Sequence, residues 1–329
     1  MTLPRLGITL GDPAGVGPEI VAKAFSRPDL LPAAEYILFG CRKLLDLEQR
    51  RLNVEIPWGR VSFAEGQEGS LALRDLGEPS GSWRRGEPSA ESGQASFRYF
   101  QKAVEEAREG RLEGVVTAPI SKQSWHMAGL SWRGHTEYLD SLFPGAIMAF
   151  WSDRMRVALL SHHLPLGEAL SLIKADILYD FFIRLHDSLE KAGQAGLELM
   201  VAGLNPHAGE GGLLGTDEDR EIRPAVERAR AAGLAISGPW PPDIVFRQSL
   251  DQPGRLTVAL YHDQGLIAFK LVAFETGVNV SLGLPFVRTS PDHGTAFDIA
   301  GQGRADPESL RQALCLGYKL AAAPLQLRP

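Results

Sequence analysis

Seven short apolar runs, at 6–10, 36–39, 115–118, 147–150, 157–160, 197–202 and 256–260, alternate along this chain with stretches of helical periodicity. Largely apolar runs of that length read as strands buried on both faces. Between them, Phe97, Phe100, Val104 and Ala107 keep the three- and four-residue spacing of one helix face. Asp176 is placed to cap a helix carrying Ile177, Phe181, Leu185 and Leu189. Asp217, Glu218 and Asp219 suit the positive end of a helix running through Ile222 and Val226 and stopping at Gly233. Asp306 and Pro307 read as a cap and first position for a last helix through Leu310 and Leu314. Strand–helix alternation of this kind predicts an α/β fold with largely parallel sheets. No linker marks a boundary, although 329 residues suggest about two domains. Residues 77–93, rich in Gly, Pro and Ser, read as the flexible stretch.

Composition narrows the function classes. A net charge of −6 gives no reason to expect a nucleic-acid or anionic-membrane surface. No run approaches the roughly 18 to 20 apolar residues of a membrane span. The N-terminal residues lack signal-peptide architecture, so a cytoplasmic location is expected. Two cysteines, Cys41 and Cys315, make neither a disulfide framework nor a cysteine zinc site.

Chemistry-bearing residues gather in a few segments. Gly11-Asp12-Pro13-Ala14-Gly15-Val16-Gly17-Pro18-Glu19 follows a strand and opens a helix. It reads either as a tight structural turn or as a backbone cradle for an anion, and it is neither a dinucleotide fingerprint nor a Walker A loop. His163, His207 and His262 each follow the C-terminal end of an apolar run, where ligands gather in open α/β sheets. Three imidazoles there suit zinc, cobalt or nickel, yet their spacing matches no local ligand motif and by spacing alone three ordinary histidines fit slightly better. Glycines and polar side chains crowd around His207 (GLNPHAGEGG) and His262 (YHDQG), which favours the metal reading. Gly134-His135-Thr136-Glu137 resembles a helix start able to hold a phosphate. Lys270, Asn279 and Arg288 add cationic and polar groups for a small anionic substrate.

The segments GDPAGVGPEI, VTAPISK, GHTEYL, SHHLPL, GLNPHAGEGG, YHDQG and VNVSLGLPFVRTSPDHGTA occur in the order, and along nearly the whole length, of the 4-hydroxythreonine-4-phosphate dehydrogenase family, which this chain resembles. The resemblance implies oxidation of 4-phosphooxy-L-threonine with NAD or NADP, then decarboxylation to 3-amino-2-oxopropyl phosphate, on the route to pyridoxal phosphate. It implies two α/β/α domains like those of isocitrate and isopropylmalate dehydrogenases, placed here at 1–140 with 289–329 and at 141–288. A homodimer is implied, its active site in the interdomain cleft at the subunit interface. The divalent metal (zinc, cobalt or magnesium) would be held by His163, His207 and His262, the last from the partner subunit. Substrate would be bound by His135, Thr136, Lys270, Asn279 and Arg288.

Two departures stand out. His162-His163 replaces the single histidine common in the family, and the register against Leu164-Pro165-Leu166 selects His163 as the ligand. Ser121 stands where many relatives carry Asn. Lys270 or Asp243 is the candidate proton relay, while His126 and His186 read as bystanders and His293 as a neighbour of the site. Related activities on 4-phospho-threonate or 4-phospho-erythronate form the rival reading within the class. A metal-dependent hydrolase and a silent binding protein are the rivals outside it.

Overall fold

In the computed structural model, which describes residues 3–322, the apolar runs do form strands. Two compact units emerge, one of residues 3–144 with 284–322 and one of residues 145–283. Each is α/β.

The first unit begins with β1 (Arg5–Thr9), α1 (Gly17–Phe25), β2 (Glu35–Gly40), α2 (Arg42–Leu52), β3 (Gly59–Ser62) and β4 (Glu68–Asp75). It continues through α3 (Ala90–Arg108), β5 (Gly114–Thr117), α4 (Lys122–Met127) and α5 (His135–Leu142). The second unit holds β6 (Ile147–Trp151), β7 (Arg156–Leu159), α6 (Leu166–Ser171), α7 (Ala175–Lys191), β8 (Glu198–Ala202) and α8 (Arg223–Ala231). After these come β9 (Ile236–Trp240), α9 (Pro242–Ser249), β10 (Arg255–Ala259), α10 (His262–Ala273) and β11 (Val278–Leu282). The chain then returns to the first unit with β12 (Val287–Pro291) and α11 (Glu308–Ala321).

Strand order in the first unit is β3-β4-β2-β1-β5-β12, parallel except for β3 against β4. Helix α3 packs on β1, β2 and β5 through the face read from the sequence: Phe97, Phe100, Val104 and Ala107 are all buried. Helix α11 packs on β5 and β12. In the second unit the order is β11-β6-β7-β10-β8-β9, with β7, β10, β8 and β9 parallel and β6 antiparallel to both its neighbours. Its core joins Phe150, Val157, Leu159, Met200, Val245 and Phe269, the last brought onto the sheet by α10.

Some expectations shift. The stretch 77–93, expected to be flexible, ends inside α3: Ser89 Oγ accepts from Ser92 N at 3.1 Å and starts the helix at Ala90. Gly93 is there for packing, because a Cβ would lie 2.1 Å from the Ser124 carbonyl oxygen of α4. Helix α7 starts after Lys174 rather than at an Asp176 cap, and Ile177, expected on its buried stripe, is exposed while Leu178 is buried. Asp306 does act at the start of α11, its carboxylate accepting from Glu308 N at 2.9 Å.

Candidate functional site

Arg288 enters the first unit on β12 and is buried, although its strand (Val-Arg-Thr-Ser-Pro) has no apolar run to announce it. Its guanidinium donates to Thr117 Oγ1 at 2.7 Å, at the end of β5, and to His135 Nδ1 at 3.1 Å, in the first turn of α5. Burial pushes the Arg288 pKa down to about 10, which leaves it charged at neutral pH. Burial, and then the charge of Arg288, holds His135 well below its ordinary 6.5. Arginine can only donate, so His135 Nδ1 carries the lone pair and Nε2 carries the hydrogen. That Nε2 is buried with no hydrogen-bond partner among the described residues. The pair therefore offers a cation and a neutral N–H donor. Phe100 and Trp125 wall the imidazole, with ring centroids 4.2 and 5.6 Å away. Thr136 follows in the same turn, half-buried.

The glycine-rich loop before α1 is a structural turn. All of residues 11–20 are buried, and four of the loop's amides donate within the protein. Asp12 N bonds Pro119 O, Ala14 N bonds Asp12 Oδ1, Gly15 N bonds Asp12 O and Val16 N bonds Thr295 O, all within 3.0 Å. Gly11 adopts φ +68°, and a Cβ there would lie 2.3 Å from Pro119 O. Ser121, the departure from the common Asn, caps α4 by accepting from Ser124 N at 3.0 Å.

In the second unit His163, His207 and His262 follow β7, β8 and β10, which are adjacent and parallel in the order β7-β10-β8. Three side chains tie these strand ends together. Gln264 accepts from Leu260 N at 2.7 Å and donates to Gly203 O at 2.8 Å, joining β10 to β8. Ser161 Oγ donates to Leu260 O at 2.9 Å, joining the β7 end to β10. Buried Glu218 accepts from Leu204 N, Asn205 N and Asn205 Nδ2 at 2.7 to 2.9 Å. Sequence reading named Glu218 only as a helix-start charge and Ser161 and Gln264 only within motifs, and missed the bonding role of all three. Their signal was proximity, each lying within a few residues of a candidate histidine or of an acidic helix start.

The rings of His163 and His262 lie 5.7 Å apart in the same chain, and His162 stacks edge-on against His163 at 5.6 Å. His207 Nδ1 is 2.8 Å from Glu210 Oε2 and His262 Nδ1 is 2.7 Å from Asp263 Oδ1. Among the described residues no group of three or more His, Cys, Asp or Glu is assembled to hold a metal within one chain. The expected trio thus appears as an adjacent pair plus His207. The donor chemistry suits a divalent cation, since carboxylates on Nδ1 leave Nε2 as the ligating nitrogen. Residues 207–211 all have positive φ, between 45° and 81°, a left-handed turn costing the non-glycine His207, Ala208 and Glu210 about 1–2 kcal/mol each.

The remaining candidates are spread over this unit. Lys270 is half-buried on α10, and Asn279 is half-buried on β11 opposite Phe150. Asp243 is exposed in the first turn of α9, which packs on β8, β10 and the His207 segment. His126 and His186 lie on helices α4 and α7, and His293 bonds its own neighbour, Gly294 O, at 2.9 Å. No helix among the described residues is long and apolar enough to cross a membrane.

Comparison with known proteins agrees along the chain. The D-threonate 4-phosphate dehydrogenase of Salmonella typhimurium (strain LT2) is 39% identical over 98% of this chain and 100% of its own length. The 4-hydroxythreonine-4-phosphate dehydrogenase of Beijerinckia indica is 42% identical over 96% of this chain and 94% of its own. The crystal structure of 4-hydroxythreonine-4-phosphate dehydrogenase from Klebsiella pneumoniae matches with a TM-score of 0.83 and 36% identity, over 97% of this chain and 98% of that one. These relatives make the chain a dehydrogenase and imply a nicotinamide coenzyme. A family model described as pyridoxal phosphate biosynthetic protein PdxA matches residues 33–317, and the chain belongs to that family.

Proposed function

We propose that this enzyme oxidises the secondary hydroxyl of 4-phosphooxy-L-threonine with NAD or NADP, giving a 3-keto acid that decarboxylates to 3-amino-2-oxopropyl phosphate. The observation that carries the reading is the buried Arg288–His135 pair, a guanidinium facing a neutral imidazole whose Nε2–H is presented as a donor. Such a pair suits a doubly charged phosphate or a carboxylate. Thr136 at the start of α5 adds a hydroxyl and helix-terminal amides to the same grip. In the second unit Lys270 supplies a point charge and Asn279 an amide for substrate, and fixing a substrate at several points orients its C3 hydrogen for hydride transfer. Asp243 takes the hydroxyl proton as hydride leaves, or Lys270 does so as a neutral amine in place of its role as a point charge.

The residues fit a divalent cation, zinc, cobalt or magnesium, held by His163, His207 and His262. When bound it supplies Lewis acidity at the reacting oxygen, which favours both proton loss and the later release of carbon dioxide. A homodimer completes the site. Its support is an apolar stripe on the helix that begins at His262: Ile267 is 64%, Leu271 83% and, just past the helix, Phe274 74% exposed, at helical spacing. Dependence on the nicotinamide pool supports a cytoplasmic enzyme.

A second reading takes D-threonate 4-phosphate as substrate, favoured by the relative of that name at comparable identity. The two substrates differ at C2, amine against hydroxyl. Side-by-side kcat/KM values for both acids, with each coenzyme, decide between them. A preference for the threonate by tenfold or more, about 1.4 kcal/mol, overturns the first reading.

A further inference from the structure

We propose that Glu210 is a positioning residue for His207, its carboxylate accepting the Nδ1 hydrogen so that Nε2 is presented as the nitrogen for a divalent cation. The proposal rests on the metal reading above. In the left-handed turn of residues 207–211, positions three apart stack on one face, which brings Glu210 Oε2 to 2.8 Å from His207 Nδ1.

The backbone beneath the pair is tied down. Ala208 N donates to Asn205 O at 3.1 Å and Leu214 N to Gly209 O at 3.0 Å, while Glu218 clamps Leu204 and Asn205. The pair itself faces solvent, its side chains 65% and 54% exposed. A solvent-facing histidine–carboxylate pair contributes little to folding, and a left-handed turn of non-glycine residues opposes it. Stability therefore explains neither feature. Ring direction explains both, because hydrogen on Nδ1 leaves the lone pair of neutral imidazole on Nε2. The first turn of α10 repeats the arrangement, with Asp263 Oδ1 at 2.7 Å from His262 Nδ1.

The test compares the full-length protein with Glu210→Ala and Glu210→Gln. Imidazole nitrogen NMR of the metal-free proteins in alkaline buffer reads the tautomer, and titration with cobalt(II) reads the affinity. In the parent His207 is expected to hold its hydrogen on Nδ1. The Ala variant shifts it toward Nε2 and binds cobalt at least about tenfold more weakly. The Gln variant, whose amide oxygen still accepts, keeps the Nδ1 tautomer and most of the affinity. Melting temperatures of the metal-free proteins stay together, since Glu210 is exposed. An unshifted tautomer in the Ala variant overturns the proposal, as does a shifted tautomer with unchanged cobalt affinity. A tautomer that shifts in the Ala variant, while the parent protein itself binds no cobalt, leaves the positioning role standing and overturns the metal reading instead.

Discussion

Burial acts on Arg288 and His135 in the same direction and with different consequences. Both lose affinity for a proton, yet the guanidinium starts so high that it stays charged, whereas the imidazole becomes neutral. The depressed His135 pKa links folding to pH. The unfolded chain takes up a proton below about 6.5 that the native state refuses, so stability is complete above that value and declines as pH falls through it. Denaturation midpoints measured across the mildly acidic range should show that decline in the parent. The variant His135→Asn should flatten the part just below 6.5; an unchanged slope would mean that the imidazole titrates normally. The histidine was legible in the sequence as part of a helix start. Its protonation state was not, because that depends on Phe100, Trp125 and Arg288, which arrive from three other elements.

Elements were legible to the degree that they are apolar. Strands β1, β2, β5, β6, β7, β8 and β10 announce themselves as hydrophobic runs within a residue or so of their observed ends. Strand β12 does not, because its buried polar groups are satisfied by fold-dependent partners: Arg288 by Thr117, and Thr289 Oγ1 by Ala313 O at 2.8 Å. Strand β9 contains Gly238-Pro239 and sits at the end of its unit's strand order, where a proline costs least. The loop after β8 is the same lesson in a functional place. Its glycines were visible, but the left-handed turn they allow is held by Glu218, eleven residues past His207 in a π-helical turn. Replacing Glu218 by Ala leaves two part-buried backbone amides without their acceptor, at up to about 1–3 kcal/mol each. Expected results are a lower melting temperature and faster hydrogen exchange across residues 203–211. Unchanged exchange there would show that the turn holds itself.

At the scale of the whole molecule, the exposed stripe Ile267–Leu271–Phe274 is a feature that one chain leaves unexplained. If it is the face of the proposed homodimer, a charge at its centre, Leu271→Asp, is expected to give a monomer in light scattering where the parent is a dimer, and to lower activity with it. Dimers that persist with full activity would move the interface elsewhere. Family membership supplied the direction of the functional argument, and the structure supplied what the motifs could not: a buried glycine loop whose amides bond within the protein, and a buried guanidinium–imidazole pair on a polar strand, which we propose as the anion grip.

The most direct test follows reduced-nicotinamide formation and carbon dioxide release with 4-phosphooxy-L-threonine, before and after chelation and again after zinc or cobalt is restored. The expected result is that both products form together, disappear with chelator and return with the metal. Inorganic phosphate released without reduced nicotinamide, or no turnover of either the amino or the hydroxy acid, would contradict the account.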